Sequence, residues 1–124
     1  MRSLLVLDHD HTIREMMGSL IELARIRASS AASAEAALEA LRNGEFDVVL
    51  SDIRMPGKDG LELLGERREL RPETPVVLMT AFGSIDSAVA AMRAGAFDYI
   101  PKPFKRAEVL VLLERAFEHR EVAS

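Results

Sequence analysis

Four polar residues able to take part in phosphoryl or metal chemistry lie at the ends of apolar runs that are typical of buried strands. They are Asp8 after the first run, Asp52 at the end of the third, Thr80 at the end of the fourth and Lys102 after the fifth. Taken singly, each has an ordinary explanation, since a strand-end Asp often forms a turn or caps a helix. Parallel strands, however, bring their carboxyl ends to one edge of a sheet. A carboxylate, a hydroxyl and an ammonium gathered there would form a site for a phosphoryl group and a divalent cation.

The elements that would position these residues follow a regular alternation. Apolar runs with strand character begin near Leu4, Ile26, Asp47, Pro75 and Phe97, and the stretches between them have helical spacing. This pattern predicts five repeats of strand and helix, and therefore a parallel α/β sheet covered on both faces. The second run has only one large apolar residue, so we expect that strand at an edge of the sheet.

Apolar residues at helical spacing predict which face each helix buries. The stripes are Ile13, Met16, Met17, Leu20 and Ile21; Ala34, Ala37, Leu38 and Leu41; less regularly Leu61, Leu64 and Leu70; Ile85, Ala88, Val89 and Met92; and Val109, Leu112, Leu113 and Ala116. Ser33 and Ser84 are predicted N-caps, and Gly44 and Gly95 are predicted helix ends.

Length and composition favour one globular domain that interacts with other proteins. The chain has 124 residues, 48% hydrophobic residues, no cysteine and a net charge of -4. We expect a domain over residues 1–120 and a frayed tail at 121–124. No apolar run approaches the roughly 20 residues that span a bilayer, and the first residues lack the pattern of a signal peptide. These features predict a cytoplasmic protein that binds neither membrane nor nucleic acid directly.

Three segments together resemble the receiver domain of a two-component response regulator. They are residues 51–60 (SDIRMPGKDG), 79–81 (MTA) and 96–104 (AFDYIPKPF). The resemblance covers the whole chain and is strongest to the receivers of nitrogen-regulation-type, enhancer-binding transcription activators. It implies a five-stranded parallel sheet of order 2-1-3-4-5 with helices on both faces, the flavodoxin-like receiver fold.

The resemblance also implies a role for each polar residue at the sheet edge. Asp52 would accept a phosphoryl group from a sensor histidine kinase, and Thr80 and Lys102 would bind the phosphoryl oxygens. The backbone amides of Arg54 and Ala81 would donate further hydrogen bonds. Such a domain is not an enzyme in the ordinary sense, because it catalyses only its own phosphoryl transfer and dephosphorylation.

A switch of conformation is the expected consequence of phosphorylation. Thr80 would move toward the new charge, and the ring of Tyr99 would turn into the space that it leaves. The surface formed by residues 84–117, which contains the fourth helix, fifth strand and fifth helix of the predicted pattern, would then change its partner. We expect that partner to be an output domain, with a transcriptional function, or a second copy in a phosphorylation-dependent homodimer.

The metal site departs from the pattern of the family that the chain resembles. Mg²⁺ would bind Asp52, Asp8 and the backbone carbonyl of Arg54. The family usually has two adjacent acidic residues after the first strand, whereas this chain has Asp8 followed by His9. The remaining ligand is therefore either His9 or Asp10. Imidazole is a poorer ligand for Mg²⁺ than a carboxylate, so we expect weak Mg²⁺ binding, with Mn²⁺ or another divalent cation able to substitute.

Two other functions fit part of the sequence. A pseudo-receiver, a binding module with an impaired metal site, would explain His9. A haloacid-dehalogenase-like phosphatase would explain the D-x-D-x-T pattern that starts at Asp8 and continues through Asp10, with Asp8 as nucleophile and Asp10 as acid/base. The phosphatase leaves the Asp52 segment unexplained. A flavodoxin-like cofactor binder is a weaker match, because the loop after the first strand carries charge instead of glycine and hydroxyl residues.

Overall fold

The computed structural model describes residues 2–7, 25–53, 60–80, 85–101 and 105–123. The strands in these ranges are β1 Arg2–Leu7, β2 Ile26–Ala31, β3 Val48–Asp52, β4 Val76–Thr80 and β5 Asp98–Pro101. The helices are α1 Ala34–Asn43, α2 Gly60–Leu70, α3 Ile85–Arg93 and α4 Arg106–Ala123. The predicted helix over residues 13–21 and the predicted N-cap Ser84 lie outside the described residues. None of the described helices is long and apolar enough to cross a membrane.

The five strands form one parallel sheet in the order β2-β1-β3-β4-β5. The predicted fold class and strand order are therefore confirmed, and β2 lies at an edge, as its weak hydrophobic pattern indicates. Every residue of β3 and β4 is buried, whereas β2 exposes residues along its length. Strands that are buried on both faces are expected at the centre of a parallel sheet. The carboxyl ends of β3 and β4 thus lie in the middle of the sheet edge.

Side-chain alternation along the strands divides the core between the two faces of the sheet. On one face, helices α1, α2 and α3 cover the strand residues Leu5, Leu7, Val49, Val76 and Leu78. On the other face, helix α4 covers the strand residues Leu4, Val6, Ile26, Val48, Leu50, Val77, Met79 and Ile100. The last residue of each strand therefore lies on the same face as the residue two positions before it.

Helix α1 matches its prediction in full. Its four stripe residues, Ala34, Ala37, Leu38 and Leu41, are all buried. The Ser33 hydroxyl accepts a hydrogen bond from the Ala36 amide at 3.1 Å, which is the bond that an N-cap makes. The helix ends at Gly44, as predicted, where the amide donates to the Ala40 carbonyl at 3.0 Å.

Helix α3 faces the sheet differently from the prediction. Val89 and Met92, which we expected in the core, are each 45% exposed, while Ala88 is buried as predicted and Ala91, outside the predicted stripe, is also buried. The prediction for Val89 and Met92 is therefore wrong. The small alanine side chains allow the helix to pack closely, and Ala91 and Ala96 belong to the same core cluster. The larger apolar residues remain at the surface.

The other helices add buried residues to their predicted stripes. Leu63 of α2 is fully buried beside Leu64 and was not in the predicted stripe. In α4, Val109, Leu113 and Ala116 are buried as predicted, Leu112 is partly buried, and Phe117 is a further core residue.

The carboxyl-terminal helix continues beyond the predicted domain boundary. Helix α4 extends through Ala123 and so passes the predicted boundary at residue 120, while the fraying of residues 121–124 stays a prediction. Arg2 of β1 connects this helix to the sheet: its Nη1 donates to Glu114 at 2.9 Å and its Nε to Glu121 at 3.0 Å. The guanidinium also lies over the Phe117 ring, 5.1 Å from its centre. The hydrogen bond to Glu114 raises the pKa of Arg2.

Candidate functional site

Asp52 is the last residue of the central strand β3 and is only 5% exposed. It pairs with Met79 of β4, and the next amide, of Ile53, donates to the Met79 carbonyl at 3.0 Å. The Ser51 hydroxyl donates to the Asp52 carbonyl at 2.9 Å. The backbone on both sides of Asp52 is thus held by hydrogen bonds. The carboxylate of Asp52 is therefore attached to a rigid part of the backbone at the sheet edge.

Thr80 ends the adjacent strand β4 and is 1% exposed. It pairs with Pro101, the last residue of β5. By the alternation of side chains, Thr80 belongs to the face of Leu78, whereas Asp52 belongs to the face of Leu50. Two neighbouring strands therefore bring a carboxylate and a hydroxyl to the same edge from opposite faces of the sheet.

Gly60, the first residue of α2, packs directly on the backbone of Asp52. Its amide donates to the Ile53 carbonyl at 2.8 Å. A Cβ atom at this position would lie 2.9 Å from both the Asp52 carbonyl oxygen and the Ile53 Cα. A side chain cannot fit there without moving the strand end or the helix. Hydrophobic spacing does not predict this role of Gly60, although a glycine that follows a turn-rich segment and starts a helix is a usable signal.

Tyr99, the predicted switch residue, lies in β5 and is partly buried. It pairs with Leu78, and its amide donates to the carboxylate of Asp98 at 2.8 Å. Tyr99 is therefore on the strand next to Thr80, two residues before the residue that pairs with Thr80. The structure brings Asp52, Thr80 and Tyr99 to three adjacent strands.

The other predicted site residues lie outside the described residues. They are Asp8, His9, Asp10, Arg54, Ala81 and Lys102. Three of these positions directly follow a described strand: Asp8 follows Leu7, Ala81 follows Thr80, and Lys102 follows Pro101.

The described residues contribute one carboxylate to the predicted metal site. Asp52 is a hard oxygen donor, the ligand type that Mg²⁺ prefers. Within the described ranges, no group of three or more acidic, histidine or cysteine side chains is arranged to hold a metal ion. Asp52 therefore fits Mg²⁺ as a ligand, and residues outside these ranges would have to supply the others.

The chain matches a known protein family over nearly its whole length. Residues 4–114 match the response regulator receiver domain. The chain belongs to this family. It is therefore a receiver domain of a two-component response regulator, and such domains are signalling modules and not classical enzymes. This result confirms the predicted resemblance and favours it over the phosphatase alternative.

Individual relatives and solved structures agree with the family. The chain is 44% identical to the DNA-binding transcriptional regulator NtrC of Escherichia coli (strain K12) over 114 residues, which is 92% of this chain and 24% of NtrC. The CheY-like receiver domain protein from Methanospirillum hungatei superposes with a TM-score of 0.91 at 27% identity, covering 100% of this chain and 99% of that one. The receiver domain of NtrC4, solved as a beryllofluoride-activated dimer, superposes with a TM-score of 0.90 at 28% identity. The match covers 97% of this chain and 99% of that one. The chain thus spans about a quarter of the length of NtrC.

Proposed function

We propose that this receiver is a phosphorylation-controlled switch with Asp52 as its phosphoacceptor. The observation that carries the proposal is the position of Asp52: a buried carboxylate at the end of the central strand, next to the strand that ends in Thr80. A carboxylate held on a rigid strand end is suited to attack, because little conformational freedom is lost when it reaches the phosphorus.

The proposed donor is a phosphohistidine on a sensor histidine kinase. A carboxylate oxygen of Asp52 attacks the phosphorus, the bond from phosphorus to the imidazole nitrogen breaks, and that nitrogen keeps the electron pair. The product is an acyl phosphate on Asp52, which water later hydrolyses. The hydroxyl of Thr80, the ammonium of Lys102 and the backbone amides of Arg54 and Ala81 balance the charge on the phosphoryl oxygens.

Receiver domains generally bind Mg²⁺ at an acidic pocket. We propose that Asp52, Asp8 and the carbonyl of Arg54 hold the ion here, with either His9 or Asp10 as a further ligand. Bound Mg²⁺ offsets charge on the phosphoryl oxygens. Mn²⁺ or another divalent cation is expected to substitute, since it tolerates imidazole better.

The proposed switch begins at Thr80. Thr80 is 1% exposed at the end of β4, and we propose that its hydroxyl moves toward the phosphoryl group on Asp52. The ring of Tyr99, on the adjacent strand, then turns toward the space that Thr80 leaves. Phosphorylation shifts the populations of the two states by the difference in contact energy between them.

The output surface is the one formed by residues 84–117. Val89 and Met92 of α3 and Val111 of α4 are large apolar side chains that are 45%, 45% and 51% exposed on this surface. Val89 and Met92 are three positions apart on α3 and so lie side by side on the helix surface, and adjacent exposed apolar side chains suit a protein partner. We propose an output domain or a second copy of the chain, and the dimeric state of the NtrC4 receiver supports the second.

The complete regulator is proposed to control transcription in the cytoplasm. NtrC is a DNA-binding transcriptional regulator, and this chain corresponds to about a quarter of it. The domain itself has a net charge of -4, so another part of the regulator would contact DNA.

Phosphorylation of the natural chain by acetyl phosphate tests the acceptor. We expect the mass to increase by one phosphoryl group, and only when Mg²⁺ or Mn²⁺ is present. Asp52→Asn should abolish the increase. Asp86→Asn, which removes an exposed carboxylate of α3, is the matched control and should be phosphorylated normally. Label on Asp8, found by peptide mapping, would refute the assignment and restore the phosphatase alternative.

His9 supports one second candidate, the pseudo-receiver, and a variant distinguishes the two. We expect His9→Asp to bind Mg²⁺ more tightly by roughly 1–3 kcal/mol, because a carboxylate adds charge at about 4 Å from the cation and hydration offsets most of the gain. Titration with Mg²⁺ measures the difference. Equal affinities would contradict the proposed ligand role of His9. No response of the natural chain to beryllofluoride with either cation would favour the pseudo-receiver.

A further inference from the structure

A cavity of about 160 Å³ lies at the edge of the sheet opposite to Asp52, where β4 and β5 begin. The carboxyl-terminal ends of three helices surround it: Arg67 comes from α2, Gly95 follows α3, and His119 comes from α4. A cavity of about 150 Å³ can hold a benzene molecule. This space is therefore large enough for one small ring or a short-chain acid.

Arg67 forms a wall of the cavity and is only 6% exposed. Its Nη1 donates to the Pro72 carbonyl at 3.0 Å. Its Nη2 lies 3.4 Å from the Gly95 carbonyl, which is longer than the usual range of about 2.7–3.2 Å. Its Nε is buried and has no hydrogen-bond partner in the described part of the chain. Nε and Nη2 form one edge of the planar guanidinium, and that edge suits the two oxygens of a carboxylate.

Within the described ranges, the charge of Arg67 is not balanced by a direct ion pair. No salt bridge joins Arg67 to another described residue. Burial lowers its pKa, the neighbouring charge of Arg68 acts in the same direction, and Glu73 opposes both more weakly. Glu73 lines the cavity but is exposed. In the described residues the guanidinium donates to backbone carbonyls and not to a carboxylate, so an anion in contact with its free edge would add charge-assisted hydrogen bonds.

The remaining walls of the cavity combine the apolar residues Pro72, Pro75 and Phe97 with the polar residues Glu73, Thr74 and His119. The ring of Phe97 lies against that of His119, with centres 5.2 Å apart and planes inclined at 47°. Pro72 and Pro75 line the space beside them. The cavity therefore places the cationic guanidinium of Arg67 near the apolar ring of Phe97, a combination that suits a ligand with one charged end and a small apolar body.

We propose that this cavity is a second ligand site, which binds a small organic carboxylate. The two carboxylate oxygens accept hydrogen bonds from Nε and Nη2 of Arg67, and the apolar body lies against Phe97. Because Nε is covered in the structure, binding requires a small rotation of the guanidinium. This rotation replaces the long bond to Gly95 by charge-assisted bonds. The site is at the opposite end of the sheet from Asp52, so the proposal does not depend on phosphorylation.

Titration of the isotopically labelled 124-residue chain with benzoate tests the site. We expect saturable changes in the backbone amide signals of Thr74, Phe97 and His119, which lie at the cavity. Benzamide, which has the same shape without the charge, should produce no saturable change. Two further ligands complete the series. Inorganic phosphate tests whether the cavity prefers a phosphate, and a blocked glutamate peptide tests whether it prefers an acidic protein side chain to a free carboxylate.

Variants at Arg67 test whether benzoate binding depends on the guanidinium edge. Arg67→Met removes the charge, and Arg67→Lys keeps the charge without the planar edge. Each should weaken benzoate binding at least tenfold. Arg68→Met is the matched control, because Arg68 carries the same charge one residue later, is exposed and donates to the Ala94 carbonyl at 2.8 Å. It should change benzoate affinity by less than about threefold. If Arg67→Met does not fold, Arg67→Lys decides the result.

Four outcomes would overturn the proposal. The first is the absence of saturable changes at Phe97 and His119 with benzoate. The second is equal binding of benzoate and benzamide, and the third is unchanged affinity in a folded Arg67 variant. The fourth is binding of phosphate or the blocked glutamate peptide without binding of benzoate, which would assign the cavity to a different ligand.

Discussion

The two glycines of α2 should respond in opposite directions to the same substitution. In Gly60→Ala, the new Cβ would lie 2.9 Å from the Asp52 carbonyl oxygen and the Ile53 Cα, and 3.1 Å from Leu78 Cδ2. Normal contacts between carbon atoms are about 3.5–4.0 Å. Two of the three atoms are backbone and cannot rotate away, which places the cost near the upper end of the 1–3 kcal/mol that is typical of overpacking.

The net effect also includes helix propensity. Replacing glycine by alanine stabilises a helix by up to about 1 kcal/mol, so we expect Gly60→Ala to lower the free energy of unfolding by about 2 kcal/mol. Gly65, in the middle of the same helix, has no heavy atom within 4 Å of its Cβ position. Gly65→Ala should therefore raise the free energy of unfolding by about 0.5–1 kcal/mol. The two variants should differ by about 3 kcal/mol.

Urea unfolding followed by far-ultraviolet circular dichroism measures this difference, since the chain has no tryptophan for fluorescence. The slope with urea should be the same for both variants and the natural chain. A second reading is the rate of phosphorylation by acetyl phosphate, which should fall in folded Gly60→Ala and stay constant in Gly65→Ala. If Gly60→Ala is as stable as Gly65→Ala, α2 does not approach Asp52 as closely as described, and the reasoning is refuted.

Substitutions at three further positions test contacts away from Asp52. Phe117→Ala removes a fully buried ring and its contact with Arg2. The free energy of unfolding, measured with heat or urea, should fall by about 3–5 kcal/mol, and a fall of less than about 1 kcal/mol would contradict the place of Phe117 in the core. Gly95 has a φ of 101°, and an alanine Cβ there would lie 2.6 Å from Arg68 Nη2. Gly95→Ala should therefore lower the free energy of unfolding by about 1–3 kcal/mol, and a double-mutant cycle with Arg68→Ala should show coupling between the two positions. Ser33→Ala should cost about 1 kcal/mol in urea unfolding, while Ser33→Asp should retain most of the stability.

The strand ends were the most predictable part of the candidate site. Buried parallel strands are continuous apolar runs, so the residue that stops such a run can be read directly from the sequence. Asp52 and Thr80 end β3 and β4 as expected, and the weak hydrophobic pattern of β2 matches its edge position. The roles of these residues in phosphoryl chemistry remain predictions from the resemblance.

The close contacts between distant segments were not predictable in the same way. Gly60 contacts the backbone of Asp52, and Arg67 reaches the carbonyls of Pro72 and Gly95. Hydrophobic periodicity describes one element at a time and contains no distance between elements. From the sequence alone, an arginine in a helix is therefore predicted to lie at the surface, and only the packing of neighbouring segments shows that Arg67 is buried.

The amino-acid sequence by itself determined the family, the parallel sheet and the position of Asp52 at a strand end, because residue type and spacing decide which segments are buried and where each stops. Only the tertiary structure decided how the helices face that sheet. In α3 the apolar positions fit more than one face, and the structure buries Ala88 and Ala91 while Val89 and Met92 stay exposed. The physical reason is packing: small side chains allow a helix to approach closely, and the shape of the facing surface decides whether that approach is better than burying the larger residues.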